Sequence, residues 1–374
     1  MSAHNPSSHQ RISGLDHLRA LAILLVFLSH YRMTDKLNYL DGIGRYGYVG
    51  VDLFFALSGY LIASQVFKPL LFGKLPSLKT FYLKRSLRVF PAYFFVLGLY
   101  FLVPWWSEGN ALPPLWKFLT YTQNFGLDRG TTNSFSHAWS LCVEEQFYLV
   151  FPGLVLFSFH WRHRIPQRVL GIVLPLSLFL LGMVLRYLLW FQTQVTEGWL
   201  NIYDRLIYYP TYTRLDGILT GIVIAAIFVF LPHWRKRLQE QSLVVAFFGL
   251  LLLGVGCWLN SDRASLWAAV VSFPAFSLGF GALVVHAASA GSILNRMRIP
   301  GSATMATLAY TFYLTHKEII HLFHPLMESL GLPRGGVVIF LVVFIFCLIG
   351  AQLLHLGIER PFLHWRDRLL EPSS

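Results

Sequence analysis

The 374-residue chain is 55% hydrophobic, 16% aromatic and only 13% charged, with a net charge of +12. A soluble domain carries about 25% charged residues, and its apolar residues do not gather repeatedly into runs of about 20, the length that crosses hydrocarbon. A nucleic-acid partner would need a basic, aromatic-interleaved solvated face, and the basic residues here sit between apolar runs instead.

The expected fold is all-α: a polytopic integral membrane protein of about ten transmembrane helices, formed by residues 1–374 as one membrane domain with no appended soluble domain. The N-terminal stretch Met1–Gly14 is polar and shows no small-residue cleavage pattern, so the first apolar run reads as a retained helix. Spans are predicted near 16–33, 46–67, 89–104, 141–159, 168–190, 205–231, 242–258, 267–287, 302–327 and 336–359. Breakers such as Pro113, Pro114, Gly291, Gly301, Gly335 and Gly336 punctuate the connections. The longest connection, Trp105–Ser140, is too short for an inserted domain. Cys142, Cys257 and Cys347 lie in or beside apolar segments without disulfide or metal-ligand spacing.

Loop charges orient the chain. With the N-terminus in the cytoplasm, the inside segments, from Arg11 through Arg162, Arg164 and Arg168 to Arg368, hold 18 Lys and Arg. The outside segments, which include Lys36, Arg129 and Arg334, hold 7. This asymmetry predicts that both termini are cytoplasmic and that Trp105–Ser140 is external.

Ionisable groups inside spans are costly and mark candidate sites. Span one reads GLDHLRALAILLVFLSH, with Arg19 and His30 eleven residues apart. They are therefore about 16 Å apart along the axis and nearly on one face. Snorkelling of Arg19 and an interfacial His30 are the structural alternative. Span two opens with GYVGVDLFFALSGYLIASQ, which places Asp52 at its outer end and the small pair Ser58–Gly59 deeper, where helices pack closely.

Span four opens with HAWSLCVEEQFYLVFP. Its adjacent acids, Glu144 and Glu145, point about 100° apart, so one faces a cavity while the other faces elsewhere. Span six reads RLIYYPTYTRLDGILTG, where Arg214 and Asp216 either neutralise each other or line a site. Span nine contains LAYTFYLTHKEIIHLFHP, with His316 near mid-span; His321 and His324 share a face, but nothing completes a metal site. Taken with the topology, His30, Asp52, Glu144, Glu145 and Arg214 fall in the outer half of the membrane. Arg19, Arg85 and Arg88 fall at its inner boundary.

Seven segments in this order resemble the acyltransferase type 3 family: Arg-x10-His, GVDLFFALSG, FYLKRSLRVFPAY, WSLCVEEQFYLVFP, TRLDGILTG, YLTH and GIERPF. The resemblance runs from about Gly14 to Leu363. Cys142 and Thr315 depart from the residues usual at their positions without altering an ionisable group. The family consists of membrane-bound O-acyltransferases that modify surface glycans, peptidoglycan, lipids or antibiotics. The resemblance therefore implies a bacterial plasma-membrane enzyme of the cell envelope, with acyl-CoA (usually acetyl-CoA) as donor, no metal, and a carbohydrate or other hydroxyl acceptor outside.

By the same resemblance, Arg19, Arg85 and Arg88 would bind the donor, guanidinium being suited to phosphate. His30 would be the base, and Glu144 would fix its tautomer. An acyl-histidine intermediate is a further possibility. Asp52, Glu145, Arg214, Asp216 and His316 would serve the acceptor. The rival class is a multi-span transporter or flippase, disfavoured because no inverted halves are visible in the sequence.

Overall fold

The structure is a computed structural model that describes residues 12–34, 40–107, 111–160, 166, 169–194, 198–331 and 336–370. Arg11, Lys36, Arg162, Arg164, Arg168 and Arg334, used above for topology, and the side chain of His324 lie outside the described residues. Those residues form helices and connections with no β-strand. The long helices matching the predicted spans are α1 (Ser13–Thr34), α2 (Gly50–Phe67), α3 (Leu78–Leu102), α4 (Trp139–His160), α5 (Leu174–Thr193), α6 (Asp216–Phe230), α7 (Ser242–Leu259), α8 (Phe273–Ala287), α9 (Ser302–Ser329) and α10 (Val337–Leu354).

Seven helical stretches among the described residues are long and apolar enough to cross a membrane. The count is eight if α6 and the following Pro232–Glu240 helix, bent by 112°, form one span. The protein is thus a multi-pass integral membrane protein. Helices α1 and α9 are long but fall outside that count. They carry the polar groups Asp16, Arg19 and His30, and His316, Lys317 and Glu318, which dilute their apolar character.

Glycine sets how closely α2 and α6 approach. A Cβ on Gly59 would lie 2.1 Å from the Ile218 carbonyl oxygen, and one on Gly221 would lie 2.4 Å from that of Ala56. Only hydrogen fits there, and the backbone contact brings Asp52 on α2 against the entry of α6. Helix α9 packs on α1 and α10. His17 Nδ1 meets Ser302 Oγ at 2.8 Å and His30 meets His316 further along, so α1 and α9 run parallel.

Three expectations are corrected by the structure. The third helix begins at Leu78, eleven residues before the predicted 89, with Ser77 Oγ accepting the Thr80 amide at 3.2 Å as its cap. Its basic first turns look like a loop by hydropathy, yet they are helical and carry Arg85 into the bundle, with Arg88 exposed one turn on. The sixth span is not one helix. A π-helical turn at Asp204–Tyr208 and a 3₁₀ turn at Thr211–Thr213 precede α6, which starts at Asp216. Pro210 supplies no amide hydrogen and breaks the run.

The connection between α3 and α4 is also no simple external loop. Phe118, Tyr121, Gln123, Asn124, Phe135 and His137 from it are buried among the helices. Asn124 Nδ2 donates to the Tyr209 carbonyl at 3.1 Å and to Thr211 Oγ1 at 2.9 Å. The inserted connection thus satisfies polar groups that the break in the sixth span leaves free, as irregular backbone inside a membrane protein requires.

Candidate functional site

The first group of side chains is a set of three imidazoles. His316 is fully buried on α9, and its Nδ1 lies 2.9 Å from the carbonyl oxygen of Phe312 one turn earlier. A carbonyl oxygen only accepts, so Nδ1 carries the proton and Nε2 is left as an acceptor. That nitrogen faces His30 Nδ1 at 2.7 Å, so His30 donates there. The tautomers follow in sequence, and the Nε2 lone pair of half-buried His30 remains free to take a proton.

His137, which the sequence reading passed over, completes the set. Its ring centroid lies 6.0 Å from that of His30 and 5.6 Å from that of His316. From α9, Tyr313 donates its hydroxyl hydrogen to the His137 carbonyl, and Lys317 Nζ donates to the Asn133 carbonyl at 3.3 Å and to Ser136 Oγ at 3.2 Å. The residues flanking His316 therefore hold the segment that carries His137.

The second group is cationic and acidic. Arg85 Nε and Nη2 donate to Glu145 Oε1 at 3.1 and 2.9 Å, and Nη2 lies 3.5 Å from Glu144 Oε2. The guanidinium stacks 3.8 Å from the Tyr148 ring centroid, while the Tyr148 hydroxyl donates to Glu144 at 3.1 Å and meets Ser58.

Glu144 does not hydrogen-bond His30, which corrects the expected pairing: both acids converge on Arg85. The depth estimate separated them because it started the third helix at 89 and so left Arg85 at the inner boundary. Long side chains also let neighbouring residues, 100° apart on the helix, reach one guanidinium.

Arg19 bridges to Asp16 at 3.4 Å and is 35% exposed. Arg88 is exposed and makes no hydrogen bond or ion pair among the described residues. The charges acting on it are Glu359, which attracts, and Arg19, Arg85 and Arg366, which repel. Arg19, Arg85 and Arg88 thus share one electrostatic neighbourhood, about 16 Å along α1 from His30.

The third group is a crossed set of buried ion pairs. Arg214 and Asp216 do not neutralise each other, as one sequence reading had it. Arg214 Nη2 donates to Asp52 Oδ1 at 2.9 Å. Asp216 instead receives Nη1 and Nη2 of Arg186 at 2.7 and 2.8 Å. Arg214 lies in the non-helical break, among Phe273, Tyr208 and Trp139 with centroids at 4.1, 4.8 and 5.3 Å. Arg186 also donates to the Thr213 carbonyl at 2.5 Å. A lone arginine within the apolar LLGMVLRYLLW was the signal that could have singled it out. Among the described residues, no group of three or more His, Cys, Asp or Glu is placed to hold a metal ion.

Comparison with known proteins fits this arrangement. The family profile described as acyltransferase domain matches residues 12–356. A peptidoglycan O-acetyltransferase, OatA, of Listeria monocytogenes is 25% identical over 340 residues, covering 86% of this chain and 51% of the relative. The O-acetyltransferase OatA of Staphylococcus aureus is 26% identical over 263 residues, covering 64% and 38%. A putative O-acetyltransferase of Staphylococcus aureus is 25% identical, covering 95% and 59%. The chain thus spans about half the length of the curated relatives it matches. No solved structure matches. With its profile match running through all three groups of side chains, the chain belongs to the acyltransferase type 3 family.

Proposed function

We propose that the protein is a membrane-bound O-acyltransferase that moves an acyl group, most simply acetyl, from cytoplasmic acyl-CoA to a hydroxyl on a glycan acceptor at the outer side of a bacterial plasma membrane. In this reading ten spans place both termini in the cytoplasm. The observation that carries it is the Phe312–His316–His30 chain of hydrogen bonds, which presents an unprotonated His30 Nε2 where a base is needed. His316 orients His30 and shares the charge when His30 becomes imidazolium, the part a carboxylate plays in a triad. The relatives named for peptidoglycan O-acetylation support a cell-wall glycan as acceptor.

The second group suits the donor's phosphate end. Arg88, without an ion pair among the described residues, is the guanidinium group best placed for phosphate, with partly exposed Arg19, bridged to Asp16, beside it, while Arg85 is committed to Glu144 and Glu145 and positions the group. The separation along α1 between these arginines and His30 lets an extended donor place its phosphates at one level and its thioester at the other. The broken sixth span also occurs in carriers, where freed backbone groups coordinate cargo. Here Asn124 takes the Tyr209 carbonyl and Arg186 that of Thr213, which disfavours the carrier reading.

The test is transfer of radiolabelled acetyl from acetyl-CoA to muropeptides by purified protein. His30→Gln is expected to lower kcat by about 10²-fold or more, with acetyl-CoA binding retained. His316→Gln should fall between it and wild type. Wild-type protein that consumes no acetyl-CoA in the presence of muropeptides overturns the proposal.

A further inference from the structure

We infer that His137 is a third functional imidazole, whose N–H holds the acyl carbonyl oxygen while His30 takes the acceptor's proton. The inference rests on the acyl-transfer reading and gives that reaction a group it otherwise lacks. His137 is 3% exposed, and neither ring nitrogen has a hydrogen-bond partner among the described residues. A buried polar group left unsatisfied is destabilising, because its desolvation is not repaid by a bond.

The polar neighbours that could have served the ring are turned elsewhere. Ser136 Oγ donates to Asn133 Oδ1 at 2.9 Å, and the Tyr313 hydroxyl engages the His137 carbonyl and Ser140. The backbone is also strained on the way in. Phe135 has φ of +55°, a left-handed conformation that an aromatic residue adopts only at a cost in backbone strain. Phe135 is held there by stacking on Tyr100, with centroids 4.4 Å apart. A packing histidine would need neither the strain nor the unanswered nitrogens.

The chemistry separates the roles of the imidazoles. In the transfer, the acceptor oxygen forms a bond to the thioester carbonyl carbon and its O–H bond breaks, the proton passing to His30 Nε2. The C=O π pair moves onto oxygen, and the resulting oxyanion needs an N–H donor. Neutral His30 has its only N–H committed to His316, and His316 has its own committed to Phe312. Lys317 is tied to the Asn133–Ser136 segment. The Leu314 backbone acts on the His137 ring, but no acceptor among the described residues meets its N–H at hydrogen-bond geometry. Collapse then restores C=O, breaks the C–S bond, and returns the proton from His30 to the departing thiolate, leaving ester and thiol.

The experiment measures acetyl transfer from acetyl-CoA to muropeptides by purified wild type, His137→Phe and His137→Gln. Phenylalanine keeps a ring without nitrogen, whereas glutamine keeps an N–H. Loss of one preorganised donor lowers kcat by about 10²-fold. That loss is expected for His137→Phe with KM for acetyl-CoA unchanged, and at least about tenfold recovery is expected for His137→Gln. If His137→Phe does not fold, the pair His137→Asn and His137→Leu makes the same contrast at smaller volume. Wild-type activity with the donor-free variant within threefold of it overturns this assignment alone. Equal loss in variants with and without an N–H also overturns it, as packing. A wild type that transfers nothing overturns the acyl-transfer reading and the assignment with it.

Discussion

Around Asp216 the buried charges are paired, whereas around His30 the neighbours include two further imidazoles, and neither ring nitrogen of His137 has a hydrogen-bond partner among the described residues. Both regions are polar clusters within one helix bundle. In the first, Arg186 reaches Asp216 with two parallel hydrogen bonds and also takes the Thr213 carbonyl, so one side chain closes a broken helix. In the second, a carbonyl sets one tautomer, which sets the next, and the chain of bonds ends in an unused lone pair on His30. Matched charge holds backbone in place. An ordered but incomplete hydrogen-bond chain leaves capacity for a reactant.

If that contrast is right, the largest stability effect comes from the matched region. Arg186→Met leaves Asp216 buried without its partner, and breaking one side of a buried pair costs about 3–5 kcal/mol. The detergent-solubilised variant is expected to lose most of its folded yield or to melt well below wild type. Adding Asp216→Leu should restore much of the loss, because no charge is then stranded. Failure of the double variant to recover would mean that the bond to the Thr213 carbonyl, not the charge pair, supports the break. His30→Gln is expected to leave the melting temperature near wild type while removing turnover, the opposite pattern.

A smaller effect separates the arginines. Arg88 has no ion pair to lose, so Arg88→Gln should leave stability unchanged and raise KM for acetyl-CoA about tenfold, the equivalent of one phosphate contact of roughly 1.4 kcal/mol. Arg85→Gln should instead reduce folded yield, since it strands Glu144 and Glu145 together. Equal kinetic effects of the two substitutions would return Arg85 to direct donor contact.

Much of this was legible in the sequence, for reasons that also explain the misses. Apolar runs located the helices because hydrophobic length is a property of the chain alone. Arg-x10-His placed Arg19 and His30 on one helix face because helical geometry fixes that spacing. The partners of His30 and Asp216 were not legible, since His316 and Arg186 come from other helices and pairing is a tertiary fact. The third helix was started too late because Lys79, Lys84, Arg85 and Arg88 look like a loop by hydropathy, although Ser77 is a good helix cap. His137 was missed because polar Asn133, Ser134 and Ser136 surround it, and the contacts that bury such a segment come from α1, α3 and α9.

The smallest effect lies where the inserted connection meets the segment before the break. Asp128 Oδ1 accepts the Gly130 amide at 2.8 Å and Asn201 Nδ2 at 2.9 Å, outside the membrane-spanning helices. The Asn201 side chain first, and the Gly130 amide with it, hold this carboxyl below its ordinary value, with Arg205 adding to the effect. A carboxyl whose folded pKa is depressed stabilises the fold fully above its unfolded value, about 3.9, and loses that contribution as pH falls through the folded one. Asp128 is partly exposed, so screening limits the contribution to about a few tenths of a kcal/mol. Asp128→Asn, which keeps one acceptor but no charge, should therefore melt slightly below wild type at pH 7. The gap should close as pH falls below 4, because wild-type Asp128 then also becomes neutral. A gap that persists unchanged to pH 3 would assign the tie between the two segments to hydrogen-bond geometry alone, and remove charge from the account of how Asp128 holds Asn201.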